Sequence, residues 1–156
     1  MKKATFMYVV YIATTPEEAW KALVEGEVTR QYWGRMNVSD WKVGSRWEHQ
    51  RVDGTHHVDI VGKVLACTPP TRLVLTWADP EAADDPSKQS RVTFDIEPVD
   101  GMIKLTVTHD ELEEGSDMQQ GITEGWPRVL SSLKSFLETG KPLNTWAKKP
   151  RVRTAG

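Results

Sequence analysis

The 156-residue chain has a formal net charge of −2 from 20 basic and 22 acidic side chains, so it presents no global field to recruit nucleic acid or an anionic membrane surface. Cys67 is the only cysteine, which excludes an internal disulfide, and neither an apolar run of the roughly 20 residues that span a bilayer nor a targeting segment is evident, so a cytoplasmic location is expected. The length suits one domain with a substantial core, and seven tryptophans are available either to fill it or to line a pocket.

Residues 4–12 are rich in β-branched and aromatic side chains and predict a first strand. Thr15-Pro16-Glu17-Glu18 then supplies a hydroxyl N-cap, a proline at the first helical position and a glutamate at the third. A helix starts there, buries Ala19, Trp20, Leu23 and Val24, and is expected to end at Gly26. A second short helix over 28–33 closes at Gly34. Strands follow over 36–41 and 45–52 around a Val43-Gly44 turn, and over 57–66 after Asp53-Gly54, a hairpin signal. Thr68-Pro69-Pro70-Thr71 must turn, because proline has no amide hydrogen for a ladder, and a strand over 72–77 comes next. Residues 79–88 read as an acidic, mobile, solvated loop. Residues 90–97 and 102–111 form a hairpin about Asp100-Gly101.

The period then changes from two to 3.6. Ile122, Trp126, Val129, Leu130, Leu133, Phe136 and Leu137 recur every three or four residues in a helix over 116–138, opened by Ser116 with Gln119 and stopped by Gly140. Pro127 cannot bond to the Thr123 carbonyl, and Gly121 and Gly125 weaken the same stretch, which predicts a kink or a true helix start near Trp126. The order implies an α+β domain over 1–143: about six or seven antiparallel strands, curved around one long C-terminal helix, with two short helices after the first strand. A basic tail, 144–156, follows.

Several of these pieces resemble the SRPBCC helix-grip superfamily, which includes the START lipid-transfer and birch-pollen-allergen (Bet v 1-like) folds. They are Thr15-Pro16-Glu17-Glu18-Ala19-Trp20, Tyr32-Trp33-Gly34, Trp41-Lys42-Val43-Gly44-Ser45, Thr68-Pro69-Pro70-Thr71-Arg72-Leu73 and Gly125-Trp126 through Leu137-Glu138-Thr139-Gly140. Within it the resemblance is greatest to the family named for the C-terminal domain of the activator of heat-shock protein 90 ATPase. It implies a helix-grip fold and one of three roles: binding of a hydrophobic ligand, a co-chaperone role in stress response, or cyclase-like chemistry. The activator that names the family has a large additional N-terminal domain, whereas this sequence opens at the first helix-grip strand.

Strand parity selects the residues that would face a cavity. Val92, Phe94 and Ile96 share a face, as do Leu73, Leu75 and Trp77, and Val58, Ile60, Gly62 and Val64. His109 continues the face of Ile103, Leu105 and Val107, with Glu111 on the same parity nearer the rim; His56 precedes that of Val58, and His49 follows Trp47. The candidate ligand-binding set is therefore His109, Trp47, His49, His56, Leu75, Trp77, Phe94, Trp126 and Leu130, with His109 the first choice to orient a ligand. His57 and Asp59 are expected on the outward face. The histidines lack paired ligand spacing, so no metal or cofactor is expected. No nucleophile elbow, phosphate loop or carboxylate pair points to a catalytic residue.

The expected function is noncovalent binding of a small hydrophobic or aromatic molecule between sheet and helix, with the weak stretch at Pro127 as its entrance. A chaperone or other protein partner is the first alternative, and an enzyme using a cavity histidine the second.

Overall fold

Alternating apolar residues give nearly every strand one buried face, and a single long amphipathic helix covers the concavity they form. The computed structural model describes residues 2–143; the basic tail expected over 144–156 lies outside the described residues. In chain order these are β1 (Lys3–Ile12), α1 (Pro16–Val24), α2 (Gly26–Trp33), β2 (Arg35–Val38), β3 (Arg46–Arg51), β4 (Val58–Thr68), β5 (Arg72–Trp77), β6 (Ser90–Val99), β7 (Met102–Glu113) and α3 (Asp117–Thr139). One antiparallel sheet runs β1-β7-β6-β5-β4-β3-β2, so the α1–α2 pair connects its two edges. This is the α+β helix-grip arrangement expected from the sequence.

The caps explain the helix limits. Thr15 Oγ1 accepts from the Glu18 amide at 3.1 Å, and Ser116 Oγ accepts from the Gln119 amide at 3.1 Å. Gln119 Oε1 reaches back to the Gly115 amide, one residue before the cap. Gly34 and Gly140 close α2 and α3 in the left-handed conformation.

Three expectations need correcting. Gly26 does not end α1; it begins α2, where a Cβ would press on Met36 Cε at 3.0 Å and on the Asn37 carbonyl of β2 at 3.1 Å. Trp126 is not a helix start, since α3 is continuous from Asp117 through Pro127. The 79–88 segment is not a simple solvated loop. It forms two one-turn 3-10 helices, Pro80–Ala82 and Pro86–Lys88, with Ala82 buried and Gln89 Nε2 donating to the Ala82 and Ala83 carbonyls.

Inside, Leu73, Leu75, Phe94, Ile103, Leu105 and Val107 of the sheet pack against Trp126, Leu130 and Leu133 of α3. Ser132, fully buried on α3, donates to the Tyr32 carbonyl at 2.7 Å and so ties α3 to α2. Trp47 is fully buried on β3, and its indole N–H donates to the Thr76 carbonyl of β5 at 2.8 Å, passing over Gly62 of the intervening β4.

Candidate functional site

Between the first half of α3 and the β2–β5 half of the sheet lies a cleft of about 320 Å3. That volume falls in the range of small-molecule sites, about 300–1,000 Å3. Its apolar walls are Trp33, Trp77 and Trp126 with Ile60, Ile122 and Val129. Gly121 and Gly125, one turn apart on α3, complete the wall, and a Cβ on either would meet nothing within 4 Å. Glycine disfavours helix relative to alanine by about 1 kcal/mol. Here its lack of a side chain keeps the cleft wide. A second hollow, about 320 Å3, shares Ile60, Trp77 and Ile122 and extends to Asp117 and Met118.

The buried polar group of the cleft is His49, 6% exposed, held edge-on to Trp33 with ring centroids 4.6 Å apart. Its partner is Asn37 on β2. Asn37 Nδ2 donates to the Leu23 carbonyl at 3.1 Å, which fixes the amide orientation, because a carbonyl only accepts. Asn37 Oδ1 therefore faces His49 Nδ1, at 2.7 Å, and Nδ1 carries the hydrogen. Burial pushes the His49 pKa down to about 3, with Arg35 adding to the effect and Asp59 opposing it. The ring is neutral at pH 7, and Nε2 is an acceptor without a protein partner among the described residues.

His109 is fixed in the opposite tautomer. The Trp126 indole can only donate, and it does so to His109 Nδ1 at 3.1 Å. Nε2 then carries the hydrogen and donates to Ser90 Oγ at 2.7 Å, and that hydroxyl in turn donates to the Trp77 carbonyl at 3.2 Å. Burial pushes the His109 pKa down to about 3, against a weaker opposing pull from Asp110.

Of the nine side chains chosen from strand parity and the helical stripe, the structure brings His49, Trp77 and Trp126 to the cleft. His109 lies behind them, fully buried, its ring centroid 5.3 Å from that of Trp77. Trp47, Leu75, Phe94 and Leu130 pack in the core, so aromatic rings occupy much of the space assigned to a central cavity. His56 does not face inward. It is exposed in the β3–β4 loop, at φ +57°, before β4 begins. Glu111 also leaves the inward parity: it sits at φ +58° where the β1–β7 register slips, and Leu112 takes the buried place.

Parity missed two polar residues of the cleft. The β3–β4 register shifts between His49 opposite Ile60 and Gln50 opposite Val58, so Asp59 is the extra residue of a bulge. Asp59 thus reaches the cleft edge instead of the outer face, and its Oδ2 accepts from Arg35 Nε at 2.8 Å. Arg51 also pairs with it, at 3.0 Å. Arg35, next to a glycine after a short helix, carried no sequence signal. The two helix glycines did, as residues unfavourable to helix at i and i+4.

Among the described residues no group of three or more His, Cys, Asp or Glu is placed to hold a metal ion, and no helix is long and apolar enough to cross a membrane.

A family model described as activator of Hsp90 ATPase homolog 1-like protein matches residues 13–138. Among solved structures, the chain is similar to the Aha1 dimer from Colwellia psychrerythraea, at 24% identity and a TM-score of 0.73 over 88% of this chain and 98% of that one. Protein MLL2253 from Mesorhizobium loti is 25% identical, with a TM-score of 0.71 over 86% of this chain and 96% of that one. CalU16 from Micromonospora echinospora shares the fold at 18% identity, with a TM-score of 0.69 over 87% of this chain and 77% of that one. No curated protein matches the chain.

Proposed function

Since the chain belongs to the activator of Hsp90 ATPase homolog 1-like family, whose fold serves several activities, we propose a function on the evidence of its own cleft: noncovalent binding of a small hydrophobic or aromatic molecule beside α3. The observation that carries this reading is an open cleft walled by three tryptophans and widened by two helix glycines. Apolar burial would supply the affinity, at about 25 cal/mol per Å2 removed from water.

Native mass spectrometry of the gently purified protein, with a thermal-shift screen of lipids, aromatic polyketides and flavonoids, tests it. A bound molecule stabilises the folded state by mass action. Gly125→Leu, which projects a side chain into open space, should abolish the shift. Gly121→Ala should raise the Tm of the free protein by about 2–4 °C, from about 1 kcal/mol of helix propensity. No retained molecule and no shift across the screen would overturn the ligand reading.

Enzyme chemistry is less well supported. Both nitrogens of His109 are bonded within the fold, and an imidazole with a pKa near 3, as at His49, is a weak base at neutral pH.

One observation favours the protein-binding alternative. Met7, Val9 and Tyr11, 61%, 41% and 45% exposed, share the outer face of the edge strand β1. If that face engages a chaperone of the heat-shock protein 90 type, Met7→Glu should remove any effect of this chain on the chaperone's ATPase rate, and Gly125→Leu should not. An effect sensitive to Gly125→Leu alone would point back to the cleft.

A further inference from the structure

Nearly every other buried polar side chain near the cleft is satisfied within the fold. Asn37 bonds to Leu23 and His49, the Trp126 indole to His109, and Ser90 to the Trp77 carbonyl. Arg35 places two of its five N–H donors, on Nε and Nη1, on Asp59 and on the Gly34 carbonyl, at 2.8 Å each. His49 Nε2 is different. Its Nδ1 edge is against Asn37, and on the other edge of this cleft-lining ring Nε2 presents a lone pair without a partner among the described residues. A buried acceptor without a partner is unfavourable, and a bound molecule that donates to it removes the deficit.

Resting on the ligand-binding reading above, we infer that the cleft selects flat aromatic molecules carrying a neutral hydroxyl, and that this hydroxyl donates to Nε2 of His49. Three features define the class. The tryptophan walls favour a ring over a flexible chain. The lone pair favours a donor over an ether or ketone oxygen, which would set lone pair against lone pair. A carboxylate or phenolate would meet the same lone pair, and accommodating it by protonating His49 is opposed by burial and by the adjacent Arg35. The hydroxyl must therefore be bound with its proton. His49 is in this sense a specificity-determining residue, and its ring is held in register by Asn37 on one edge and Trp33 on one side.

The test compares 2-naphthol with 2-methoxynaphthalene, matched probes that differ in the donor, by isothermal titration of the full chain. 2-Naphthol is expected to bind about tenfold more tightly, the difference one hydrogen bond makes. In His49→Phe that ratio should fall to about one. A second measurement needs no variant: in protein labelled with 15N-histidine, the resonance of the unprotonated Nε2 of His49 should shift towards that of a hydrogen-bonded nitrogen with 2-naphthol and not with the ether. Equal binding of the two probes, or an unmoved Nε2 resonance at saturation, overturns the hydroxyl inference and leaves the cleft as a ligand site. Failure of both probes to bind overturns the ligand reading and this inference together.

Discussion

Acidification from pH 7 to pH 4 is expected to cost the fold about 7 kcal/mol, enough to unfold a domain whose stability lies in the usual range of about 5–15 kcal/mol. His49 and His109 take up a proton near pH 6.5 in the unfolded chain and near pH 3 in the folded protein. Protons therefore favour the unfolded chain throughout that interval. The stability that the two neutral rings provide is complete above pH 6.5 and declines as the pH falls towards 3. At about 1.4 kcal/mol per pH unit for each ring, the loss by pH 4 is about 3–4 kcal/mol apiece. The molecular cause differs between the two. Protonated His109 would turn an N–H towards the Trp126 indole N–H, whereas His49 would gain a charge among Trp33, Trp47 and Trp77 beside Arg35. Glu48, held below its ordinary 4.5 by bonds from Arg46 and Gln50, adds to the loss as the pH falls below about 4.5.

Tryptophan fluorescence and circular dichroism during an acid titration measure the loss. His109→Gln, which can accept from Trp126 and donate to Ser90, should shift the acid midpoint downward. A folded protein whose two buried histidines titrate near pH 6.5 by NMR, with unchanged stability between pH 7 and 5, would refute this account.

Gly62→Ala is expected to destabilise the protein by about 3–5 kcal/mol, at the severe end for a single substitution. An alanine Cβ at this position would lie 1.9 Å from the Thr76 carbonyl oxygen and 2.6 Å from the Trp47 indole nitrogen. The Thr76 carbonyl does not pair with β4. It accepts from Trp47 instead, while Thr76 Oγ1 takes the Lys63 amide at 2.7 Å. A methyl group here must push the two strands apart, at a cost of about 1–3 kcal/mol for overpacking. It must also break a bond that leaves a buried indole N–H unpaired, at about 1–3 kcal/mol more. A fall in Tm of about 10 °C or more is the expected reading for a chain of this size. A change of less than about 2 °C would mean that the Trp47 bond across Gly62 contributes little.

Most of the architecture was legible because it is periodic or punctuated. The caps Thr15 and Ser116, the stop at Gly140 and the alternation in β6 and β7 each identify an element from a few neighbouring residues. The errors arise where a glycine serves a distant neighbour. Gly26 looked like a helix end because nothing local announces that Asn37 will pass within contact of it. Pro127 predicted a kink or a late helix start, yet α3 begins at Asp117 and runs through it, because packing of Trp126, Val129 and Leu130 outweighs one lost backbone bond.

The site was only partly legible. Strand parity named His49 and Trp77 as inward and the helical stripe named Trp126, and all three line the cleft. It failed at bulges: Asp59 and Glu111 each lie where a register shift changes the face a residue presents. It also ranked His109 above His49, whereas His49 lines the cleft and His109 lies behind it with both ring nitrogens bonded, because what lies against each ring is set by other elements.

The sequence by itself determined an antiparallel sheet, two capped short helices and a long amphipathic helix to cover them, because periodicity and capping are local properties. Only the tertiary structure decided that the centre is filled by aromatic rings, that space remains beside Gly121 and Gly125, and that one histidine is satisfied while the other keeps a lone pair without a partner among the described residues. Those outcomes depend on contacts such as Asn37 to Leu23 and Trp126 to His109, between residues 14 and 17 positions apart on different elements, and no local pattern records which side chains will meet.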